Sequence, residues 1–411
     1  MSRTRRTPAG RAAALERMVR SWCAVVALTT GFFSIVTTEI LPIGLLTSIG
    51  SDFSVSDGTA GLMMTMPGLL AAVAAPAVTV ATARFDRRTM LCAFMALLTL
   101  ANVLVVVAPA FWAVLLSRVL VGVTIGGFWS VGAGLGGRLV ANGPRATSIV
   151  FSAVPLGSVL GVPAGTLIGD LAGWRAAFAV MAALSAAVLV ALAALLPPLP
   201  PQHATRPHVL TGLLRLQGVR AGLLVTFLIV LAHFGTYTYV TPFLQDVTHA
   251  SPTTITALLL VYGAAGIIGN FAAGPRAARH PRATFATAAA LLAVATLLLP
   301  VLGRWHLAAF ALLPLWGIAY GAVPVCSQTW FAKAAPHTPE AASVIFTASF
   351  QATLSLGALT GGAALDHTSP SILMLLGAAT ATLTVAAIST RRPERPRSPL
   401  PAEPHHHDHA V

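Results

Sequence analysis

Twelve apolar segments of about 20 residues or more fill the 411-residue chain. The last six echo the first six at a spacing of 195 positions. Around Gly122 the chain reads RVLVGVTIGG, and around Gly317 it reads PLWGIAYGAV, so Gly122 maps onto Gly317 and Gly126 onto Gly321. The next segment keeps the offset: SIVFSA from Ser148 maps onto SVIFTA from Ser343. Apolar composition alone does not produce one shared offset across two neighbouring segments. The segments are too long and too uniformly apolar for barrel strands, and in lipid every backbone polar group needs an internal partner. The expected fold is therefore an all-α integral membrane protein, with twelve transmembrane helices in two pseudo-symmetric six-helix halves.

The spans are expected near 22–47, 59–81, 89–108, 112–137, 147–169 and 175–196, then 221–245, 253–274, 284–302, 307–332, 341–364 and 370–389. They divide the chain into an N-terminal tail (1–21), a first bundle (22–196), a linker (197–220), a second bundle (221–390) and a C-terminal tail (391–411) expected to be disordered. Charged residues are 9% of the chain, far below the roughly 25% of a soluble domain.

The net charge of +13 would suit a nucleic-acid binder, but its placement does not. Of the 25 Lys and Arg, 22 lie in the two tails and in alternate loops. Arg84, Arg87 and Arg88 fill one such loop, and Arg276, Arg279 and Arg282 another. The opposite loops hold only Arg175 and Arg304, and Arg118 lies inside a span. This is the positive-inside bias, which puts both termini in the cytoplasm and the chain in a cell membrane. The first span is too long for a signal-peptide core, so it is expected to be retained. Cys23, Cys92 and Cys326 all fall in spans, with no pairing implied.

The linker is proline-rich and basic, either a plain spacer or a spacer with an amphipathic helix from Val209 to Val219. The HHHDH run at 405–409 has metal-binding side chains, but in a tail where an incidental role is expected. No nucleotide-binding loop, metal-ligand spacing or nucleophile elbow occurs. An enzyme, a bound cofactor and an ATP-driven pump are thereby disfavoured. Duplicated six-helix halves are common in secondary transporters, which hold their substrate between the repeats.

Glu39, in TTEILPIG, is the most informative residue. A charged carboxylate in hydrocarbon costs about 2.5–3.5 kcal/mol even on lenient insertion scales. It must line a wet cavity, pair, or hold a proton, and any of these suits proton coupling. The alternative is a structural carboxylate bonded to Thr37 or Thr38. Arg118 either tunes Glu39 or snorkels to the interface. His233 is a relay or substrate ligand, or a packing residue; Tyr237 shares its helix face and Tyr239 does not. Phe128, Trp129, Asn270, Gln328 and Trp330 are expected to line a central cavity, with lipid-facing or packing roles as the alternative. Gly122, Gly126, Gly127, Gly132, Gly134, Gly136 and Gly137 suit close helix approach. Asp86, beside Arg87 and Arg88, is placed to cap a helix or to latch a gate.

These stretches resemble the major facilitator superfamily, in particular its twelve-helix drug:proton antiporter group, over roughly 22–390. RVLVGVTIGGFWS resembles the fourth-helix signature, whose arginine is implicated in proton coupling, and here that residue is Arg118. SAVPLGSVLGVPAGTLIGDLAGWRAAF resembles the fifth-helix antiporter signature, with Gly157, Gly161, Pro163 and Gly165 in its places. TTEILPIG and HFGTYTYVTPFL are similar to stretches of the arabinose, chloramphenicol and purine-nucleoside efflux branch. The superfamily's cytoplasmic gate carries two glycines around its Asp; here Thr82 stands for the first and the second is absent. The second half's GPRAARHPR keeps the bases without an acid.

The resemblance implies a proton-coupled exporter of small organic molecules in a bacterial inner membrane. Its expected partners are a small-molecule substrate, protons and the bilayer, with no nucleic acid and no oligomeric partner. Glu39 would be the proton site. An importer or facilitator of a nutrient, or a non-transporting receptor, remains as the alternative.

Overall fold

The computed structural model describes residues 8–81, 85–132, 135, 139–140, 143–200, 212–336 and 338–390, with no strand among them. The first half contains α1 (Pro8–Ile40), α2 (Pro42–Asp52), α3 (Asp57–Ala60), α4 (Leu62–Ala81), α5 (Arg87–Val106), α6 (Phe111–Gly132), α7 (Gly143–Ala172) and α8 (Trp174–Leu195). The second contains α9 (Gln217–Tyr237), α10 (Val240–Asp246), α11 (Pro252–Arg279), α12 (Pro281–Leu302), α13 (His306–Ala334), α14 (Pro339–His367) and α15 (Pro370–Ser389). Among the described residues, twelve stretches are long and apolar enough to cross a bilayer, and each meets one expected span. The last span ends at Ser389 on the side where the first begins, the side that carries Arg87, Arg88, Arg276, Arg279 and Arg282.

Two spans end earlier than the hydropathy suggests. The first helix stops at Ile40, because Pro42 starts α2 and has no N–H to continue the ladder. The seventh stops at Tyr237, and Tyr239 leaves helical geometry before α10. Of the two readings of the linker, the 209–219 helix does not form as one piece: Leu216 is extended and α9 begins at Gln217, while 201–211 lie outside the described residues. Thr82, Gly134, Gly136, Gly137 and the 405–409 histidine run also lie outside them.

The duplication is visible in the packing register. A Cβ added to Gly122 would meet Pro67 and Leu70 of α4; one added to Gly317 would meet Tyr262 and Ala265 of α11. Those partners are themselves 195 residues apart. Gly126 faces Ala71 and Gly321 faces Gly266, again at the same offset. Each half thus seats its fourth span on its second through the same pair of bare glycine positions.

The buried apolar clusters show where the halves meet. Ile43, Met64 and Val162 of the first half join a large cluster of the second, and Tyr239 and Leu373 of the second join one built mainly from the first. These crossings lie toward the end opposite the arginines. At the arginine-rich end, one cluster is confined to the first half and another, around Leu213, Phe331 and Phe346, to the second. Among the described residues, the protein is therefore sealed at the opposite end, and its buried clusters separate at the arginine-rich end.

The register makes a paired prediction. Gly122→Ala and Gly317→Ala should each lower the thermal unfolding midpoint in detergent, because their Cβ atoms would overlap a neighbouring backbone; overpacking of this kind costs about 1–3 kcal/mol. Gly274→Ala, with open space around it, should not. Equal midpoints for all three would rule out glycine-mediated seating of these helices.

Candidate functional site

The site grows from one missing hydrogen-bond donor. In a helix the N–H of residue 42 would bond the carbonyl of residue 38, but Pro42 has none. A carbonyl orphaned inside a membrane protein costs several kcal/mol unless another group reaches it. Arg118 does: it comes from α6, is fully buried, and donates Nη1 to the Thr38 carbonyl at 2.9 Å. Its guanidinium lies 5.1 Å from the Phe178 ring centre. Nε and Nη2 have no partner. Arg118 therefore does not snorkel. Asn102 of α5 adds a bond to the Thr38 hydroxyl at 3.3 Å.

The same break brings Glu39 to the last turn of α1, 7% exposed. Its partner is neither Thr37 nor Thr38 but Gln351 of α14, whose Nε2 donates to Oε1 at 3.0 Å. The carboxylate and Arg118 feel each other's charge without forming an ion pair. An ion pair does form at the opposite end, between Arg175 and Asp52.

Gly157, Gly161 and Gly165 explain how α1 gets close enough. Four apart on α7, they form one bare face, and added Cβ atoms would meet Val36, Ile40 and Leu41 in turn. Pro163, on the same helix, removes the donor for the Val159 carbonyl. Gly263 of α11 approaches at that point, with its added Cβ 2.9 Å from the Val159 oxygen. The antiporter-like stretch thus shapes two contacts, one within the first half and one between halves.

His233 is fully enclosed on α9. Its Nδ1 accepts from Trp316 Nε1 at 3.1 Å, leaving Nε2 to carry the ring proton of the neutral form. Tyr320 stacks on one side of it at 3.3 Å between ring centres and Tyr237 at 5.0 Å. Tyr262 stacks on Tyr237 at 4.5 Å. Tyr239 stands apart, in the break after α9, and its hydroxyl donates to the Ala358 carbonyl at 2.6 Å.

The expected cavity-lining group divides. Phe128 is buried in the first half's core, edge-on to Phe32 at 4.9 Å, and Trp129 packs on the same ring at 4.8 Å. Trp330 is a packing residue too, donating to the Gly218 carbonyl at 3.1 Å. Gln328 is exposed and Asn270 half-buried. At the arginine-rich end, Asp86 caps α5, accepting from Arg88 N at 2.9 Å, and accepts from Leu199 N at 2.7 Å. Arg88 reaches the Ala193 carbonyl, and the backbone N–H of Arg87 donates to the Leu199 carbonyl at 2.9 Å. These bonds hold the start of α5 to the end of α8 within one half.

The contacts that cross between halves at the opposite end were not evident from sequence. Asp366 of α14 accepts from Ser56 Oγ at 2.9 Å and from Gly58 N at 3.1 Å. The Thr241 hydroxyl donates to the Ile43 carbonyl at 2.9 Å, and Thr256 to Thr166 at 3.0 Å. Gln351, Trp316, Tyr262 and Tyr320 were missed as well. Two of them, Trp316 and Tyr320, lie in the segment that reveals the repeat. Among the described residues no group of three or more metal-ligating side chains forms.

A match to the Major Facilitator Superfamily covers residues 27–338 and 222–409. The chain is similar to a protein named Transcription regulatory protein OpdE from Pseudomonas aeruginosa, 34% identical over 385 residues, or 92% of this chain and 95% of that one. It is similar to the purine ribonucleoside efflux pump NepI of Shigella sonnei, 32% identical over 381 residues, or 90% of this chain and 96% of that one. In fold it resembles the crystal structure of the human organic anion transporter MFSD10 (TETRAN), with a TM-score of 0.68 at 17% identity, covering 90% of this chain and 99% of that one.

Two outcomes are expected. Arg118→Met should destabilise the protein by about 1–3 kcal/mol through the orphaned Thr38 carbonyl, and much less in a Pro42→Ala background, where the alanine supplies the missing N–H. Additive losses of thermal stability in this double-mutant cycle would disprove the link. Asp366→Ala should loosen the seal. In a background with the native cysteines replaced by serine, a cysteine at the buried Thr65 should then react roughly fivefold faster with an impermeant maleimide, the effect of about 1 kcal/mol. An unchanged rate would remove Asp366 from the seal.

Proposed function

The chain belongs to the major facilitator superfamily and is a multi-pass membrane transporter, not an enzyme, and from that premise we propose that it is a proton-coupled exporter of small organic solutes. In this reading it works by alternating access in a bacterial inner membrane, with the arginine-rich end in the cytoplasm. The observation that carries the proposal is the Glu39–Gln351 bond. A buried intramembrane carboxylate is hydrogen-bonded across the joint between the halves, beside a buried arginine.

Ionised Glu39 accepts from Gln351 in a charge-assisted bond, roughly twice as strong as the neutral one left after protonation. Uptake of a proton therefore weakens the tie between the halves, and release restores it. Arg118 stands close enough for its charge to act on that exchange. Asp86, Arg87 and Arg88 brace the arginine-rich end of the first half, so that it rocks as a body around the solute. The name of the Shigella relative supports nucleosides as a first cargo class to test.

The name of the Pseudomonas relative favours a second reading, in which the chain senses a ligand without moving it. Reconstitution separates the two. With a pH gradient imposed across proteoliposomes, the wild type should accumulate substrate. Glu39→Gln should lose at least tenfold of that gradient-driven transport while retaining solute exchange without a gradient. Full gradient-driven transport by a folded Glu39→Gln protein would sink the proton assignment; no flux of any kind in the wild type would favour the sensor.

A further inference from the structure

Three of the chain's four tyrosines gather around His233, and their rings form a ladder. Tyr320, His233, Tyr237 and Tyr262 lie nearly parallel, with successive interplanar angles of 6°, 18° and 23°. Trp316 closes one side of the ladder edge-on, at 79° to His233, 84° to Tyr237 and 80° to Tyr262. The rings come from α9, α11 and α13, three helices of the second half. His233 and Tyr237 lie 5.0 Å apart between ring centres, Tyr237 and Tyr262 4.5 Å, and His233 and Tyr262 6.5 Å, so these three parallel rings are offset around Tyr237 and do not form one straight column, whereas Tyr320 sits flat on His233 at 3.3 Å.

Offset parallel pairs such as His233–Tyr237 and Tyr237–Tyr262 are ordinary core geometry, whereas the face-to-face Tyr320–His233 pair at 3.3 Å is not. A run of parallel faces is what a planar heteroaromatic solute requires, because each face offers a stacking partner. The outermost ring, Tyr320, is only partly buried, while His233 beneath it is enclosed. The bond from Trp316 fixes the His233 tautomer, leaving an N–H at Nε2 for a base-edge acceptor.

The geometry points to the ring ladder as the specificity site for a planar heteroaromatic solute of nucleobase type, with Tyr320 as the movable ring that stacks on the base. The ladder rests on the transporter reading above and gives it a cargo chemistry. Tyr320 stacks on His233 in the unloaded protein and opens to admit the base between or beside the two rings. Sugars lacking a base find no partner there.

Binding of adenosine to the full chain in nanodiscs tests this, with ribose as competitor. Wild type should bind adenosine, ribose should not displace it, and the purine ring protons should shift upfield from ring current in NMR. Tyr320→Phe and Tyr320→His, which keep a ring, should bind within about threefold of wild type. Tyr320→Leu should weaken binding by about tenfold or more, the size of one lost base–ring stack. The thermal unfolding midpoint of each variant shows that it is folded, and Tyr320→Met, a second ringless side chain, should lose binding as Tyr320→Leu does. No adenosine binding by wild type, equal binding by Tyr320→Leu, or displacement by ribose would each overturn the assignment. Gradient-driven transport of another solute that depends on Glu39 would leave the exporter reading standing even so.

Discussion

A proline inside a membrane helix leaves a carbonyl that water cannot reach, and the charged half of this protein is arranged around that fact. Pro42 removes the donor that the Thr38 carbonyl would use, and Arg118 replaces it from another helix. The replacement is costly, since a fully buried guanidinium keeps two nitrogens without partners. A neutral donor such as asparagine would satisfy one carbonyl at a smaller desolvation cost. The presence of a cation is accounted for by its neighbour, because the turn that exposes the carbonyl also carries Glu39. The geometry further requires that α7 lie against α1 without side chains in between, and the four-residue spacing of Gly157, Gly161 and Gly165 provides that.

The two halves keep a common packing register and differ in chemistry. Gly122 and Gly317 seat their helices on partners 195 residues apart, yet the position equivalent to Arg118 is Leu313. The second half also breaks its first span near a proline, but the break holds Tyr239 instead of an acid and an arginine. Charge is concentrated in the first half and ring chemistry in the second. The bond from Gln351 to Glu39 joins them, so a change of charge on one side is felt at the boundary of the other.

What was legible in the sequence follows from what is rare in a membrane. Charged residues inside spans are few, so Glu39 and Arg118 stood out without any structure, as did the repeat and the twelve spans. Hydropathy averages over a window and does not register one missing N–H, so the first span was read through Pro42 to residue 47, although the proline itself was in plain view. Aromatic residues carry no such flag. Phe128 and Trp330 looked as eligible for a cavity as Trp316 and Tyr320, and only packing separates the first pair, held inside their halves, from the second, stacked around a histidine. The partner of Glu39 lies 312 residues away, a separation at which no spacing rule operates.

The joint between the halves is assembled from weak parts. Asp366 to Ser56 and Gly58, Thr241 to Ile43, Thr256 to Thr166, and Gln351 to Glu39 are each single hydrogen bonds. Typical bonds of this kind contribute about 0.5–1.5 kcal/mol, or about 1.5–3 kcal/mol where one partner is charged. A joint made of a few such bonds and apolar contact lies in the range that differential binding of a solute and a proton can overturn, since moving a two-state equilibrium from one side to the other takes about 5.5 kcal/mol. An interface held by several buried ion pairs would resist that; here the Arg175–Asp52 pair lies within one half, where it ties α8 to α2 and leaves the halves free to part.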